Sequence, residues 1–432
     1  MTPESNALSR RLAALFEVGE REAGAVAAGL LLFFLLFAGY FMLRPVRETM
    51  GVAGGVDNLQ WLFTATFVAT LAALPLFGWL ASQVARRRIL PWTYAFFVLN
   101  LVGFATAFRA MPDDPWLARG FYIWLSVFNL LTISLAWSVL VDVFAANQAK
   151  RLFALMAGGA SLGGLVGPLL GTVLVAPIGH SGLLLLSAAM LVGSMFAARH
   201  LQRWRDAHPL PRQEPGARRK PLGGNPFAGA TAVFKSPYLL AIAVFVLLLT
   251  SVSTFLYFEQ ARLVAETFTD RTRQTQVFGT IDTVVQALAI LTQLLITGRI
   301  AQRLGVGVLL VAVPVVVAAG FVWLALAPTF AVFVVVMVVR RAGEYAFVRP
   351  GREMLYTVVP AEQKYKAKNF IDTVVYRGGD AVSGWVKRGL DLVADHPALA
   401  MLIGAGIALA WAVAGGTLGR WHRMREPAQP HA

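Results

Sequence analysis

Charged side chains stand inside stretches of this 432-residue chain that are otherwise too apolar to hold them. The densest set is Lys366, Lys368, Asp372, Tyr376, Arg377, Asp380, Ser383 and Lys387. Asp372, Tyr376, Asp380, Ser383 and Lys387 recur at spacings of four, four, three and four, so they share one stripe of a helix, with Arg377 off to its side. A second set, Arg340, Arg341 and Glu344, begins roughly a dozen residues into another apolar run, near the middle of a bilayer at about 1.5 Å per residue. In a third, Arg44, Arg47 and Glu48 surround Pro45, whose missing N–H interrupts the helix ladder beside two guanidinium groups. Asp282 with Gln286, Asn129 with Thr132 and Ser138, and Glu259 complete the polar groups within apolar runs. Ionisable groups at such depth are costly unless they face a cavity or a partner. Arginine and lysine there match the oxygens of phosphates and carboxylates, and carboxylates beside them would neutralise an empty site or carry protons. The chemistry this suggests is recognition of a small anionic solute. Plainer readings stand beside it: Arg44 and Arg47 snorkelling to headgroups, Arg341 and Glu344 pairing three apart as a structural bridge, and Glu259 as a solvated end group.

Helices through a membrane must position these groups. The chain is 57% hydrophobic and 14% charged, with a mean hydropathy of +0.64, and apolar runs of twenty or more residues recur along it. A hydrocarbon core of about 30 Å needs roughly 20 residues of helix. Backbone groups in lipid are satisfied only within helices or closed barrels, and the runs alternate too poorly for barrel strands. The expected fold is therefore all-α and polytopic, with spans near 23–48, 58–82, 89–109, 117–142, 152–176, 182–200, 236–259, 275–298, 306–327, 329–349, 368–391 and 397–419. These twelve fall into an N-terminal six-helix half, 1–200, a linker, 201–235, rich in Pro, Gly and Arg, and a C-terminal six-helix half, 236–432.

Lys and Arg in short loops set orientation. The N-terminus, Arg86-Arg87-Arg88, Lys150-Arg151, the linker, Arg299 with Arg303, the stretch 349–368 and the tail Arg420, Arg423 and Arg425 all fall on one side of a twelve-span chain. That side is expected to be the cytoplasm of a bacterial inner membrane, holding both termini. The loop 259–273, with Arg262, Arg271 and Arg273, departs from the pattern. The first residues lack a signal peptide's short apolar core and cleavage site.

Other classes find little support. Cysteine is absent, the six histidines lie at segment ends or in tails, and neither H-E-x-x-H nor a phosphate-binding G-x-x-x-x-G-K-[ST] loop occurs. No catalytic residue, metal site or cofactor is expected. Net charge is +15, but the basic residues sit in alternate loops rather than on one soluble domain, which argues against nucleic acid. The expected surroundings are a lipid bilayer, a small anionic solute and protons, and the expected state is a monomer.

A repeat supports the two halves. Gly78-Trp-Leu-Ala-Ser-Gln-Val-Ala-Arg-Arg-Arg-Ile-Leu90, with Arg86, follows the second span, and Gly298-Arg-Ile-Ala-Gln-Arg-Leu-Gly-Val-Gly-Val-Leu-Leu310, with Arg303, follows the eighth. Both resemble the G-x-L-[AD]-D-R-x-G-R-[RK]-x-x-L signature of major-facilitator transporters, with Ser82 and Gln302 where the aspartate is usual. That resemblance implies gating roles for Gly78, Arg86, Gly298 and Arg303. The fifth span carries Gly163-x-x-x-Gly167-Pro168-x-x-Gly171, a form common in exchangers of the same superfamily; the alternative reading of Gly163, Gly167 and Pro168 is close helix packing with a bend.

Leu43-Arg44-Pro45-Val46-Arg47-Glu48-Thr49-Met50, Lys366-Ala-Lys368-Asn-Phe-Ile371-Asp372-Thr-Val374-Val-Tyr-Arg377, Trp137 followed by Asp142 and Ala149-Lys150-Arg151-Leu-Phe153, and Phe255-Leu-Tyr-Phe-Glu259 occur in that family's order. By these the chain resembles the ATP/ADP translocases, nucleotide exchangers of the major-facilitator type. The family's acidic residue in the first half of the fourth span has no counterpart here, Asn129 being the nearest polar group. The resemblance implies alternating-access exchange of a nucleotide or related phosphorylated anion. Arg44, Arg47, Asn129, Arg341, Lys368 and Arg377 would hold it, and Glu48, Glu259, Asp282, Glu344, Asp372 and Asp380 would serve as counter-charges or couple protons. Two rivals remain: a proton-coupled exporter of a drug or organic acid, and a nontransporting membrane scaffold, which the short loops leave little room for.

Overall fold

In the apolar runs the backbone has no water to bond, and each folds as helix. The structure, a computed structural model, describes residues 22–84, 86–144, 146–208, 227, 229–393 and 397–426. The N-terminal basic residues and most of the linker 201–235 lie outside them. Among the described residues there is no strand. The membrane helices are α1 (Ala23–Ala53), α2 (Leu59–Gln83), α3 (Arg86–Ala110) and α4 (Pro115–Val143), then one run Ala146–Ala207 that breaks at Gly179 into limbs α5 (146–178) and α6 (180–207). A short helix, Ala230–Lys235, precedes α7 (Pro237–Thr267). α8 (Arg271–Leu304), α9 (Val306–Leu326), α10 (330–355), α11 (361–393) and α12 (Pro397–Arg425) follow. Nine runs among the described residues are long and apolar enough to cross a membrane. The run holding α5 and α6 counts once among them, and α10 and α11 fall outside because charges and irregular turns interrupt them.

Gly179 replaces the loop expected between the fifth and sixth spans. Its φ of +68° lies in the left-handed region that other residues rarely adopt. On α1, Leu30, Phe34, Ala38 and Met42 meet Gly159, Gly163, Gly167 and Gly171 of α5 in rising order, so the two helices run parallel. The α6 limb runs the other way, with Ser187 Oγ donating to Gly39 O and Gly193 beside Leu35.

Several boundaries differ from expectation. α6 reaches Ala207 rather than 200, α7 reaches Thr267 rather than 259, α10 continues past 349 to Leu355, and α11 begins at Ala361 rather than 368. Charged flanks read as loop in a hydropathy scan, but Lys, Arg, Glu and Gln are good helix formers. Helix starts are capped where the sequence supplies acceptors: Asp114, Ser236, Asp270 and Thr329 accept backbone N–H bonds at the starts of α4, α7, α8 and α10.

The chain divides into two packing units. One comprises Met1–Thr49, Leu76–Gly223 and Thr275–Thr280; the other comprises Met50–Pro75, Gly224–Gln274 and Ile281–Ala432. In the first, Phe97, Phe104, Phe121, Trp124 and Phe128 form an aromatic layer between α3 and α4, and buried Tyr94 donates to Thr132 O at 2.8 Å. In the second, Tyr238, Phe245, Phe255, Phe321, Phe333 and Trp411 are buried in one core.

Candidate functional site

In the second unit, three helices depart from the α-ladder at π-turns: Gln293–Thr297 in α8, Glu344–Val348 in α10 and Ile371–Val375 in α11. Such turns add a residue to the ladder and strand carbonyls that a membrane interior cannot hydrate. For the turn of α10, α8 supplies donors. Gln293 Nε2 donates to Tyr345 O at 2.8 Å, and Thr297 Oγ1 donates to Ala346 O at 2.9 Å.

The charges of α10 and α11 gather around these turns. Arg341 Nη2 lies 2.6 Å from Asp282 Oδ1 of α8, both side chains being 7% exposed or less. Arg340 Nη1 donates to Glu344 Oε2 at 3.0 Å and to Ser253 Oγ at 2.7 Å. The plainer alternative, a bridge between Arg341 and Glu344, is not formed: four-residue spacing gives Glu344 to Arg340, and Arg341 faces α8. Further along α10, Arg349 Nε stands 3.8 Å from Glu344 Oε1, with its guanidinium 4.4 Å from the centre of the Tyr345 ring. Arg352 Nη2 lies 3.1 Å from Asp372 Oδ1, and Lys368 Nζ donates to Glu353 Oε2 at 2.5 Å. A cavity of about 220 Å³ opens among them, lined by Glu344, Arg349, Arg352, Glu353 and Tyr376 with Leu249 and Val348.

Of the stripe read on α11, Asp372 and Tyr376 reach this region. The remainder lies further along the helix: Ser383 shares a hydrogen bond with Ser251, and Lys387 is buried against Asp391. Arg377, off to the side of the stripe, pairs with Asp380 on its own helix at 3.7 Å. Glu259 is buried and pairs with Arg262 one turn on, so it is not a solvated end group.

In the first unit, Arg47 is held three ways. Its Nε donates to Tyr122 O at 3.2 Å, its guanidinium stacks 3.8 Å from the centre of the Tyr122 ring, and Nη1 lies 3.2 Å from Glu48 Oε1. Arg44 lies 6.0 Å from the Phe41 ring centre, and buried Asn129 Oδ1 has no hydrogen-bond partner among the described residues. Thr49, Thr275 and His180 form a hydrogen-bonded chain, with Thr49 Oγ1 also donating to Pro45 O. Gly163 and Gly167 press on α1, where an added Cβ would lie 2.6 Å from Phe34 O or Ala38 O. Pro168 lies within α5, and Gly78 within α2. Arg86 begins α3, its side chain lying outside the described residues. Gly298 has open space where a side chain would go, and Arg303 is exposed at the end of α8.

The sequence reading missed Arg349, Arg352 and Glu353 as site residues because it ended this span at 349. Continuing the helical period from Glu344 through Val348 would have reached Arg352.

The model of the Major Facilitator Superfamily matches residues 29–363. Among solved structures, the chain is similar to a bacterial homolog of the human lysosomal transporter Spinster, inward-facing and unoccupied, at 14% identity over 95% of this chain and 100% of that one, with a TM-score of 0.59. It is also similar to the nucleoside transporter NupG, at 14% identity over 93% and 99%, TM-score 0.60. An auto-inhibited POT family peptide transporter is similar at 15% identity over 94% and 99%, TM-score 0.63. At such identities the likeness carries the fold alone. No curated protein matches the chain in sequence.

Proposed function

The chain belongs to the Major Facilitator Superfamily, and we propose that this multi-pass membrane transporter exchanges a small phosphorylated anion, a nucleotide being the first candidate. The observation that carries the reading is the cavity in the second unit, where Arg349 and Arg352 meet Tyr376 and two carboxylates inside a charged stretch of α10 and α11. Guanidinium groups that line a cavity together are suited to phosphate oxygens. Lys368, Arg341 and Arg377 serve as further ligands for the anion in this unit, and Arg44, Arg47 and Asn129 are candidate anion ligands of the first unit by themselves. Asp282, Glu344, Asp372 and Asp380, with Glu48 and Glu259, hold the cations while no solute is bound. The resemblance of the α1 and α11 motifs to ATP/ADP translocases supports a nucleotide, as does the aromatic surface that Tyr345 and Tyr376 offer near the cavity.

The two sequence halves move as the alternating elements in this reading, with Gly78, Arg86, Gly298 and Arg303 as gating residues, and with both termini in the cytoplasm of a bacterial cell. A second reading, proton-coupled export of an organic acid, draws on the carboxylates that stand beside every cation named around the cavity.

A ligand that binds the native protein raises its stability by mass action, by about 2.7 kcal/mol at a hundredfold excess over Kd. Purified protein is expected to melt at higher temperature with nucleoside di- and triphosphates than with sugars or amines, and Lys368→Ala is expected to lose that shift. If phosphorylated compounds leave the melting curve unchanged while organic acids or drugs raise it, the substrate class is wrong.

A further inference from the structure

Arg352 has an ion pair that does not use it fully. Its side chain is 13% exposed, against 32% for its partner Asp372, and it lines the cavity directly. The 3.1 Å approach of Nη2 to Asp372 Oδ1 is misaligned: neither that oxygen nor Arg352 Nε, both buried, makes a hydrogen bond among the described residues. An arginine with a permanent carboxylate partner commonly presents two parallel N–H groups to two oxygens. Buried donors left over are costly, so the fork is set for a group with better-placed oxygens.

The neighbouring cations are engaged differently. Arg341 is closed against Asp282 at 2.6 Å, and Arg349 lies over the Tyr345 ring with its side chain 55% exposed. Asp372 is carried on the π-turn Ile371–Val375, where the helix departs from its regular ladder. Lys368, one turn before it, is drawn to Glu353.

We propose that Arg352 binds the phosphate group of the solute and that Asp372 is a built-in competitor, occupying the guanidinium only while the site is empty. This rests on the anionic-solute reading above. The solute then replaces a poorly aligned carboxylate with oxygens that satisfy the fork, and a buried cation is at no stage left without counter-charge. Arg352 is accordingly a binding residue, and Asp372 sets how tightly the site holds its cargo.

The test is titration of the full-length protein, purified in detergent free of phospholipid, with ADP and with inorganic phosphate, followed by calorimetry and by thermal shift. Asp372→Asn removes the competitor at constant size and is expected to tighten binding by about fivefold or more. Arg352→Lys keeps the charge but loses the fork, and is expected to weaken binding by about tenfold or more. Binding of wild type with both variants unchanged overturns the role of Arg352 and leaves the anionic reading standing. Weakening in Asp372→Asn as large as in Arg352→Lys overturns the competitor role, because Asp372 would then support the site. Absence of binding by wild type overturns the anionic reading and this proposal together. If added phosphatidylglycerol micelles bind in an Arg352-dependent way while the soluble anions do not, the guanidinium serves a lipid headgroup and the proposal is wrong. Should Arg352→Lys fail to fold, the Asp372→Asn titration still decides the competitor claim.

Discussion

The pair of Arg341 and Asp282 is closed in the second unit, at 2.6 Å with both side chains 7% exposed or less, and its energetics follow from that closure. Removing one partner of a buried ion pair leaves an uncompensated charge, at a cost of about 3–5 kcal/mol, whereas replacing both with apolar groups of similar volume is often neutral. Arg341→Ala and Asp282→Ala are therefore each expected to lower the melting temperature sharply in detergent. Arg341→Met combined with Asp282→Leu is expected to recover most of it. Single variants as stable as wild type would show that the pair opens to water. Asp282, Arg341 and Asp372 were legible in the sequence because charge at depth is conspicuous. Their partners were not. Pairing across helices depends on which faces meet, which a single sequence does not encode locally, and even within α10 the choice of Arg340 over Arg341 for Glu344 turned on the difference between four residues and three.

At the scale of elements, the glycine series of α5 decides how closely two helices lie. Gly159, Gly163, Gly167 and Gly171 stand against backbone atoms of α1, while Gly158 has open space around it. Overpacking a close helix contact typically costs about 1–3 kcal/mol. Gly163→Val and Gly167→Val are expected to reduce folded yield and melting temperature, and Gly158→Ala to be neutral or slightly stabilising. Equal behaviour of all three would contradict the contact. The G-x-x-x-G spacing was visible in the sequence, although its partner helix was not. The π-turns of α8 and α10 had no signal in either segment alone, because Gln293 and Thr297 of one helix bond carbonyls of the other. Gly179 hid the break between α5 and α6 for a simpler reason. One left-handed residue turned the chain where a polar loop was expected.

For the whole molecule, the class of protein was legible from composition alone, since runs of this length and hydropathy have few other fates. Orientation rests on the distribution of Lys and Arg, and a chain without cysteine makes it easy to check. A cysteine introduced at exposed Asp113, before α4, is expected to react with a membrane-impermeant maleimide in intact cells, and one at exposed Arg299, in α8, only after permeabilisation. The reverse pattern would invert the proposed topology. The substrate class is the central claim, and it is tested most directly in proteoliposomes. Vesicles containing the purified protein and loaded with ADP are expected to take up labelled ATP, with uptake lost when the interior is empty and in Lys368→Ala and Arg47→Ala. Uptake of no phosphorylated anion, or accumulation of an organic acid driven by a pH gradient into vesicles without internal substrate, would contradict it.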